Sequence, residues 1–200
     1  MGEREDRSGL PLAKHREFDR LQRSLKRTLP AIAWKGPCFR VATEKWARSE
    51  DLFTGEGSRL IGGRWNHPGT AAVYTSLDAE TAVREWMAQM ERTGIPPEQG
   101  MPAVLGWGDV ELQRALDVTD SSLLRALRIT KKGLLDVDWE GENEAGRESL
   151  PQALGLAALM CGYEGLLVPS AAAKARNLVI FPQALRVGSR VKAHGLKGLP

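Results

Sequence analysis

Side chains with four different kinds of chemistry lie close together in the middle of the chain. The stretch 62–74 supplies a cation at Arg64, an amide at Asn66 and an aromatic hydroxyl at Tyr74, and the carboxylate of Glu85 follows soon after. Glycines at positions 62 and 63 precede the cation, and a residue without a Cβ lets a ligand approach the backbone closely. This is the composition of a binding site, although the glycines taken alone favour a hairpin or a loop with positive φ angles.

Three familiar kinds of site do not match the sequence. Gly55, Gly57 and the glycines at 62–63 lack the strand-turn-helix context of a dinucleotide fingerprint, and no Gly-Lys-Ser/Thr follows them. The histidines are scattered and neither cysteine has a partner at metal-ligand spacing, so we expect no metal site. A serine hydrolase would need a Gly-x-Ser-x-Gly elbow, which the sequence lacks.

Polar residues elsewhere in the chain have both structural and functional interpretations. Arg40 interrupts a short apolar strand, where its charge is costly to bury unless it meets a carboxylate or an anionic ligand. Glu85 falls at the edge of the apolar face of its helix, facing either solvent or a cleft. Ser149 begins a capping box, whereas Ser170, at the end of a buried strand, has no comparable structural duty. Asn177 opens the next strand and is compatible with a turn.

The elements that must position these side chains follow from periodicity, caps and turn residues. Helices are predicted at 15–28, from a cap at Ser76 or Asp78 to about 90, at 121–129 and at 149–161. Strands are predicted at 39–41, 71–75, 103–110, 115–118, 166–168 and 178–181, with polar loops at 48–58 and 136–148. Without a regular alternation of strand and helix, this pattern predicts an α+β fold around a mixed or antiparallel sheet.

Charge is unevenly distributed along the 200 residues, whose formal net charge is +3. Residues 1–28 carry eight basic and five acidic side chains, and residues 186–200 carry four basic and no acidic ones. The remaining 16 basic and 20 acidic side chains give the body a charge of −4. A nucleic-acid binder normally carries a basic stripe on its folded body, so we expect no direct DNA binding, although the tails remain candidates for contacts with RNA or an acidic partner.

Length and composition favour one domain of 31–185, flanked by an amphipathic N-terminal extension of 1–30 and a basic C-terminal tail of 186–200. Cys38 and Cys161 have apolar surroundings and are expected to be free thiols. A charged N-terminus and the absence of a long apolar run predict a cytoplasmic protein without a membrane span.

A spaced combination of short motifs makes the chain resemble the RES-domain family, toxins of Xre-type toxin–antitoxin pairs that consume NAD+. The matching segments span about 39–181 and are 39–41, 55–66, 73–76, Glu85, 168–170 and 177–179. The resemblance implies a mixed, split β-sheet with flanking helices, similar to ADP-ribosyltransferase toxins, around an NAD cleft. The Arg, Glu and Ser of the family name correspond to Arg40, Glu85 and Ser170, with Ser149 as the second choice for the serine.

The resemblance gives each candidate a role. Cleavage of the nicotinamide–ribose bond creates positive charge on the sugar, which Glu85 would stabilise. Arg40 and Arg64 would bind the two phosphates as guanidinium forks, and Tyr74 would stack on the nicotinamide or ribose and hold it with its hydroxyl. Ser170 and Asn177 would bind ribose or phosphate oxygens. NAD+ is then a substrate, no cofactor is needed, and phosphate is the implied co-substrate.

The residues leave the acceptor open between phosphate, water and a protein side chain. A protein-directed ADP-ribosyltransferase and a non-catalytic nucleotide- or RNA-binding module are the alternative functions. The resemblance also implies a cognate Xre-type antitoxin as partner. The helix at 15–28 is a candidate for antitoxin docking, for homodimerisation, or for packing on its own body.

Overall fold

A mixed β-sheet organises the protein, whose computed structural model describes residues 12–27, 30–44 and 52–199. The strands are β1 (Ile32–Thr43), β2 (Val73–Ser76), β3 (Ala103–Asp117), β4 (Gly165–Pro169), β5 (Arg176–Ile180) and β6 (Arg190–Gly198). The helices are α1 (Phe18–Lys26), α2 (Glu56–Ile61), α3 (Ala79–Arg92), α4 (Ser121–Ala126), α5 (Lys131–Leu135), α6 (Trp139–Glu144) and α7 (Leu150–Met160).

The sheet consists of two halves. Its strand order is β1-β2-β5-β4-β3-β6, and β1 also pairs with β3. One half contains β1, β3 and β6 in antiparallel pairs, and the other contains β2, β5 and β4, also antiparallel. Only the Phe39–Ser76 pair joins β1 to β2, and a short parallel ladder joins β3 to β4. The predicted α+β fold with a mixed, split sheet and flanking helices is confirmed.

Caps fix the two helices on which the candidate site depends. The carboxylate of Asp78 accepts hydrogen bonds from the backbone nitrogen and hydroxyl of Thr81, so α3 begins at the predicted cap. At the start of α7, the side-chain oxygen of Gln152 accepts hydrogen bonds from the backbone nitrogen and hydroxyl of Ser149. Both helices therefore start where local sequence signals place them.

Several predicted elements are longer or more regular in the structure. The strands predicted at 103–110 and 115–118 form one continuous strand, β3. The alternation of buried and exposed side chains continues between them: Leu112 is buried, and Glu111 forms ion pairs with Lys35 and Arg190 on the neighbouring strands. The acidic segment 136–148 contains α6, capped by Asp138. Residues 48–51 of the loop expected at 48–58 lie outside the described residues. Its last residues, 56–58, form the first turn of α2.

Within the described residues, helix α1 near the N-terminus and strand β6 near the C-terminus both pack on the folded body. Phe18, Leu21 and Leu25 of α1 are buried in the main apolar core, which α7 also helps to form. The apolar face of α1 is therefore covered by this chain, and a homodimer would have to use a different surface. Strand β6 pairs with β3 along most of the length of β6. Its basic side chains are compatible with a strand, because such side chains can alternate on the exposed face of a sheet.

A second apolar core lies around Cys38, Val73 and Leu178. Cys38 and Cys161 are free thiols, as predicted, and burial raises the pKa of the Cys38 thiol to about 12. None of the helices in the described parts of the chain is long and apolar enough to cross a membrane.

Gly155 of α7 packs directly against the loop that carries Arg64. An added Cβ would overlap the carbonyl oxygen of Trp65, a backbone atom that cannot move without displacing that loop. We expect Gly155→Ala to lower the free energy of unfolding by about 1–3 kcal/mol, which thermal unfolding would measure. Gly57→Ala is the matched helical control, since a Cβ there meets no heavy atom of the described residues within 4 Å. Equal melting temperatures for the two variants would contradict this account of the packing.

Candidate active site

A cleft with a volume of about 380 Å³ opens between α3, the loop before β2 and the segment that contains α5 and α6. Of the residues proposed from the sequence, those lining the cleft are Arg40, Arg64, Tyr74, Glu85 and Asn177. They come from β1, a loop, β2, α3 and β5, so the fold gathers them from distant parts of the chain. Ser170 contacts this group through Glu85, whereas Ser149 does not line the cleft.

Three hydrogen bonds anchor the carboxylate of Glu85 in the cleft. Its Oε1 accepts hydrogen bonds from Ser170 Oγ at 2.6 Å, Asn177 Nδ2 at 2.6 Å and the backbone nitrogen of Ala171 at 3.2 Å. Among the described residues no donor contacts the other oxygen, Oε2. One oxygen thus fixes the carboxylate, and the other remains available to a ligand.

The helical wheel of α3 explains this placement. Ala82, Glu85, Trp86 and Gln89 recur at spacings of three and four residues, and all of them line the cleft. Glu85 therefore faces the cleft, and the alternative of a solvated boundary residue does not apply.

Ser170 acts on Glu85 rather than on the cleft itself. Its hydroxyl donates to Glu85 and accepts from the backbone nitrogens of Ala172 at 3.1 Å and Ala173 at 2.9 Å. A hydroxyl has one donor and two acceptor sites, so all of them are occupied. The predicted direct contact of Ser170 with ribose or phosphate therefore has no free hydrogen-bonding group, and we assign this serine to positioning the carboxylate.

Asn177 combines a bound donor with a free acceptor. Its Nδ2 donates to Glu85, but its Oδ1 is buried and has no hydrogen-bond partner among the described residues. A buried polar atom without a partner is costly, and a ligand hydroxyl in the cleft would satisfy it. This geometry supports the predicted binding role.

Arg40 lines the cleft and forms no ion pair with another described residue. It is half-buried on β1 and donates a hydrogen bond to the carbonyl oxygen of Leu52 at 3.1 Å. Burial lowers the pKa of its guanidinium. In the part of the chain that the structure describes, no carboxylate lies within ion-pair distance of Arg40, which favours a ligand clamp over a structural ion pair.

Backbone carbonyl oxygens near the end of α5 hold the side chain of Arg64 in place. Its Nη1 donates to the carbonyl oxygens of Leu134, Leu135 and Val137, which lie at the C-terminal end of α5. Burial is the main cause that lowers the pKa of its guanidinium, followed by the positive charge of Arg92. Free carbonyls at a helix end suit a cation, and this anchoring fixes the guanidinium beside the cleft.

Tyr74 braces the loop with its hydroxyl, which differs from the predicted ligand contact. The hydroxyl donates to Asn66 Oδ1 at 2.7 Å and accepts from the backbone nitrogen of Trp65 at 2.9 Å, so its donor is occupied. Burial raises the pKa of Tyr74 well above its ordinary value. Gly63 serves the same contact, because an added Cβ would lie 2.5 Å from the hydroxyl oxygen. This glycine makes room for a side chain of the protein rather than for a ligand.

Removal of this hydroxyl should loosen the loop. Tyr74→Phe leaves the buried Asn66 Oδ1 without its donor, so we expect it to lower the free energy of unfolding by about 1–3 kcal/mol. Chemical denaturation would measure the loss. Thr93→Val, which removes an exposed hydroxyl at the end of α3, is the control, and an equally small effect of both changes would contradict the bracing role.

Comparison with known proteins identifies the family of the chain. A family model described as the RES domain matches residues 37–198, from β1 to the end of β6. The chain belongs to the RES-domain family. This match includes β6, in agreement with its place in the sheet.

The names of two relatives of this RES domain describe an NAD+ phosphorylase and an ADP-ribosylating toxin. NAD(+) phosphorylase MbcT from Mycobacterium tuberculosis and from Mycobacterium bovis is 28% identical over 160 residues, covering 78% of this chain and 79% of that protein. The Prs ADP-ribosylating toxin of a Sphingobium species is 28% identical over 112 residues, covering 56% of this chain and 61% of that toxin. A crystal structure of the M. tuberculosis MbcT–MbcA toxin–antitoxin complex matches with a TM-score of 0.72 and 26% identity, covering 94% of both chains.

Ser149 has a structural role in this RES domain. It is buried at the start of α7, next to Gln152, whose Nε2 donates to the carbonyl oxygen of Gly63 at 3.0 Å. The serine therefore contributes to the scaffold behind the Arg64 loop, and Ser170 is the serine that contacts the carboxylate of the cleft.

Several cleft residues of the RES domain were missed in the sequence. Trp86 lies on α3 next to Glu85, and Trp139 and Glu140 lie in α6, within the segment 136–148 that is predicted to be a loop. Arg92 follows Glu85 by seven residues, a spacing that could have identified it. Within the described ranges, no cluster of three or more His, Cys, Asp and Glu side chains could hold a metal ion.

Proposed function

We propose that this protein cleaves the bond between nicotinamide and ribose in NAD+, with inorganic phosphate as the acceptor. The products are nicotinamide and ADP-ribose 1''-phosphate. The observation that carries the proposal is Glu85, which lines the cleft and whose Oε1 is fixed by three donors while its Oε2 has no partner among the described residues. The 28% identity to an NAD(+) phosphorylase over most of the chain supports the choice of substrate and acceptor.

The electrostatics of bond cleavage suit this carboxylate. Both electrons of the breaking bond pass to the nitrogen of the cationic pyridinium ring, which leaves as neutral nicotinamide, and positive charge develops on the ribose. A fixed negative charge beside the ribose stabilises that state more than the ground state. A phosphate oxygen then forms the new bond to the ribose carbon, and its proton passes to solvent.

Binding of the dinucleotide uses the cations of the cleft. Arg40 and Arg64 both lie near Tyr74. The positive charge of each lowers the pKa of the Tyr74 hydroxyl, whereas burial, the larger effect, raises it. A dianionic diphosphate offers these half-buried guanidinia the counter-charge that they lack among the described residues. The free Oδ1 of Asn177 accepts a ribose hydroxyl, and the Tyr74 ring forms part of the cleft wall.

In the cell this activity would deplete NAD+, so the proposal includes a role as the toxin of a toxin–antitoxin pair. The fold match to the MbcT–MbcA complex supports a protein antitoxin, and we propose that it is of the Xre type. A cytoplasmic location follows from the substrate, because the toxin must reach the cell's NAD+. No dedicated cofactor is required by this chemistry.

The test is incubation of purified protein with NAD+, with separation of free nicotinamide from intact dinucleotide. Release of nicotinamide by the native chain is expected, and intact NAD+ both with and without phosphate would remove the proposed activity. Induction of the chain in bacteria should also lower cellular NAD+ and arrest growth, unless the antitoxin is produced with it.

A second candidate is transfer of ADP-ribose to a protein, favoured by the similarity to an ADP-ribosylating toxin. Intact-mass measurement of proteins in an NAD+-supplemented lysate distinguishes the two. A gain of one ADP-ribose on a single protein would support the transferase, whereas small-molecule products alone support phosphorolysis.

A further inference from the structure

Arg92 lies on the cleft-facing side of α3, beyond Glu85. The two residues are seven positions apart, which places them on the same face of the helix, two turns or about 10 Å apart. Gln89 lines the cleft between them. One helix thus presents a carboxylate and, two turns later, a guanidinium to the cleft.

Arg92 is close to a second guanidinium. Its positive charge lowers the pKa of Arg64, so the two cations repel each other across this end of the cleft. Arg64 cannot turn away, because its Nη1 is bound to three carbonyl oxygens at the end of α5. In the described ranges, no carboxylate lies within ion-pair distance of Arg64.

Glu140 is the nearby acid that faces Arg92. Its Oε2 lies 3.5 Å from Arg92 Nε, with 43% of the arginine side chain and 39% of the glutamate side chain exposed. An ion pair of this length and exposure contributes little to stability. The pair connects α3 to α6 across the cleft, and both residues line it. An anionic ligand would therefore compete with Glu140 for Arg92 at small cost.

We propose that Arg92 joins Arg40 and Arg64 in the diphosphate subsite and that Glu140 is the carboxylate which the diphosphate displaces from Arg92. The identity of the ligand rests on the proposed function. A diphosphate suits several guanidinia better than a single phosphate does, because its two phosphoryl groups offer more oxygens to planar forks. In NAD+ the diphosphate is separated from the cleaved bond by one ribose and its methylene group, in keeping with the separation of Arg92 from Glu85 along α3.

The subsite predicts opposite effects for its two exposed members. In calorimetric titration with ADP-ribose, Arg92→Gln should raise Kd about tenfold, because it removes a charge-assisted contact. Glu140→Gln should lower Kd about threefold, because it removes the competitor of the ligand. Arg84→Gln is the matched control on the same helix, where Arg84 pairs with Glu80 on the exposed surface.

Two further ligands separate the diphosphate from other contacts. Adenosine lacks phosphate, so Arg92→Gln should leave its Kd unchanged. Inorganic phosphate tests the co-substrate as the alternative ligand. Equal weakening of ADP-ribose binding by Arg92→Gln and Glu140→Gln would overturn the proposal, because a purely structural ion pair requires that result. The proposal is also overturned if Arg92→Gln weakens adenosine binding as much as ADP-ribose binding. A third contradicting result is that phosphate is the ligand whose binding changes most.

These titrations need no turnover, so they are independent of the proposed reaction. If NAD+ is not cleaved but ADP-ribose binding depends on Arg92, the subsite stands and the reaction does not. If NAD+ is cleaved, Arg92→Gln should raise KM for NAD+ about tenfold with kcat within about twofold. A loss confined to kcat would contradict the binding role.

Discussion

Glu85→Gln is expected to lower the rate of NAD+ cleavage about a hundredfold or more, equivalent to about 2–4 kcal/mol of transition-state stabilisation. The amide oxygen of glutamine can keep the hydrogen bonds that Ser170 Oγ, Asn177 Nδ2 and the Ala171 nitrogen donate to the native Oε1. What is lost is the negative charge of the carboxylate beside the ribose. The fold should therefore be preserved while the chemical step slows.

Single-turnover measurement of nicotinamide release separates the chemical step from binding. Glu80→Gln on the same helix is the control, because Glu80 is exposed and pairs only with Arg84 among the described residues. Unchanged rates for Glu85→Gln would remove this carboxylate from the mechanism. A large drop in melting temperature would instead indicate a structural role for its hydrogen-bond network.

Arg40→Gln is expected to reduce kcat/KM for NAD+ about a hundredfold without lowering the melting temperature. The native guanidinium is half-buried and donates a hydrogen bond to the carbonyl oxygen of Leu52. Its desolvation costs free energy that no carboxylate among the described residues offsets. Removing that charge should leave stability unchanged or raised. Activity should fall, because the anionic substrate loses a clamp.

Thermal unfolding and NAD+ turnover, measured on the same preparations, test this pair of expectations. Lys35→Gln is the matched control, since Lys35 lies on the same strand but is exposed and pairs with Glu111 outside the cleft. Retained activity in Arg40→Gln would exclude the arginine from the site. A fall of several degrees in melting temperature together with the loss of activity would show that Arg40 is needed for the fold.

Local signals account for the parts of the fold that could be predicted. Asp78 and Ser149 are caps whose hydrogen bonds involve residues within one helical turn, so sequence spacing alone identifies them. Strand β6 could not be identified in this way. Its basic residues alternate on an exposed face, and only the long neighbouring strand β3 gives its backbone hydrogen-bond partners.

Tertiary contacts explain where the site differs from expectation. The assignment of Arg40, Glu85 and Asn177 to one cleft came from the family resemblance, and the fold brings the three together. The hydroxyl of Tyr74 could not be assigned from sequence, because its partner, the Asn66 side chain, is itself buried by the loop fold. Arg92 was missed because its spacing from Glu85 has meaning only once α3 is known to line a cleft.

The most direct test of the central proposal is the mass of the products formed from NAD+ in phosphate buffer and in phosphate-free buffer. With phosphate, the native protein should yield nicotinamide and ADP-ribose 1''-phosphate, and without phosphate the rate should collapse. Glu85→Gln should be nearly inactive in both buffers. Free ADP-ribose formed at equal rates in the two buffers would contradict phosphorolysis, and unchanged NAD+ in both would contradict cleavage itself.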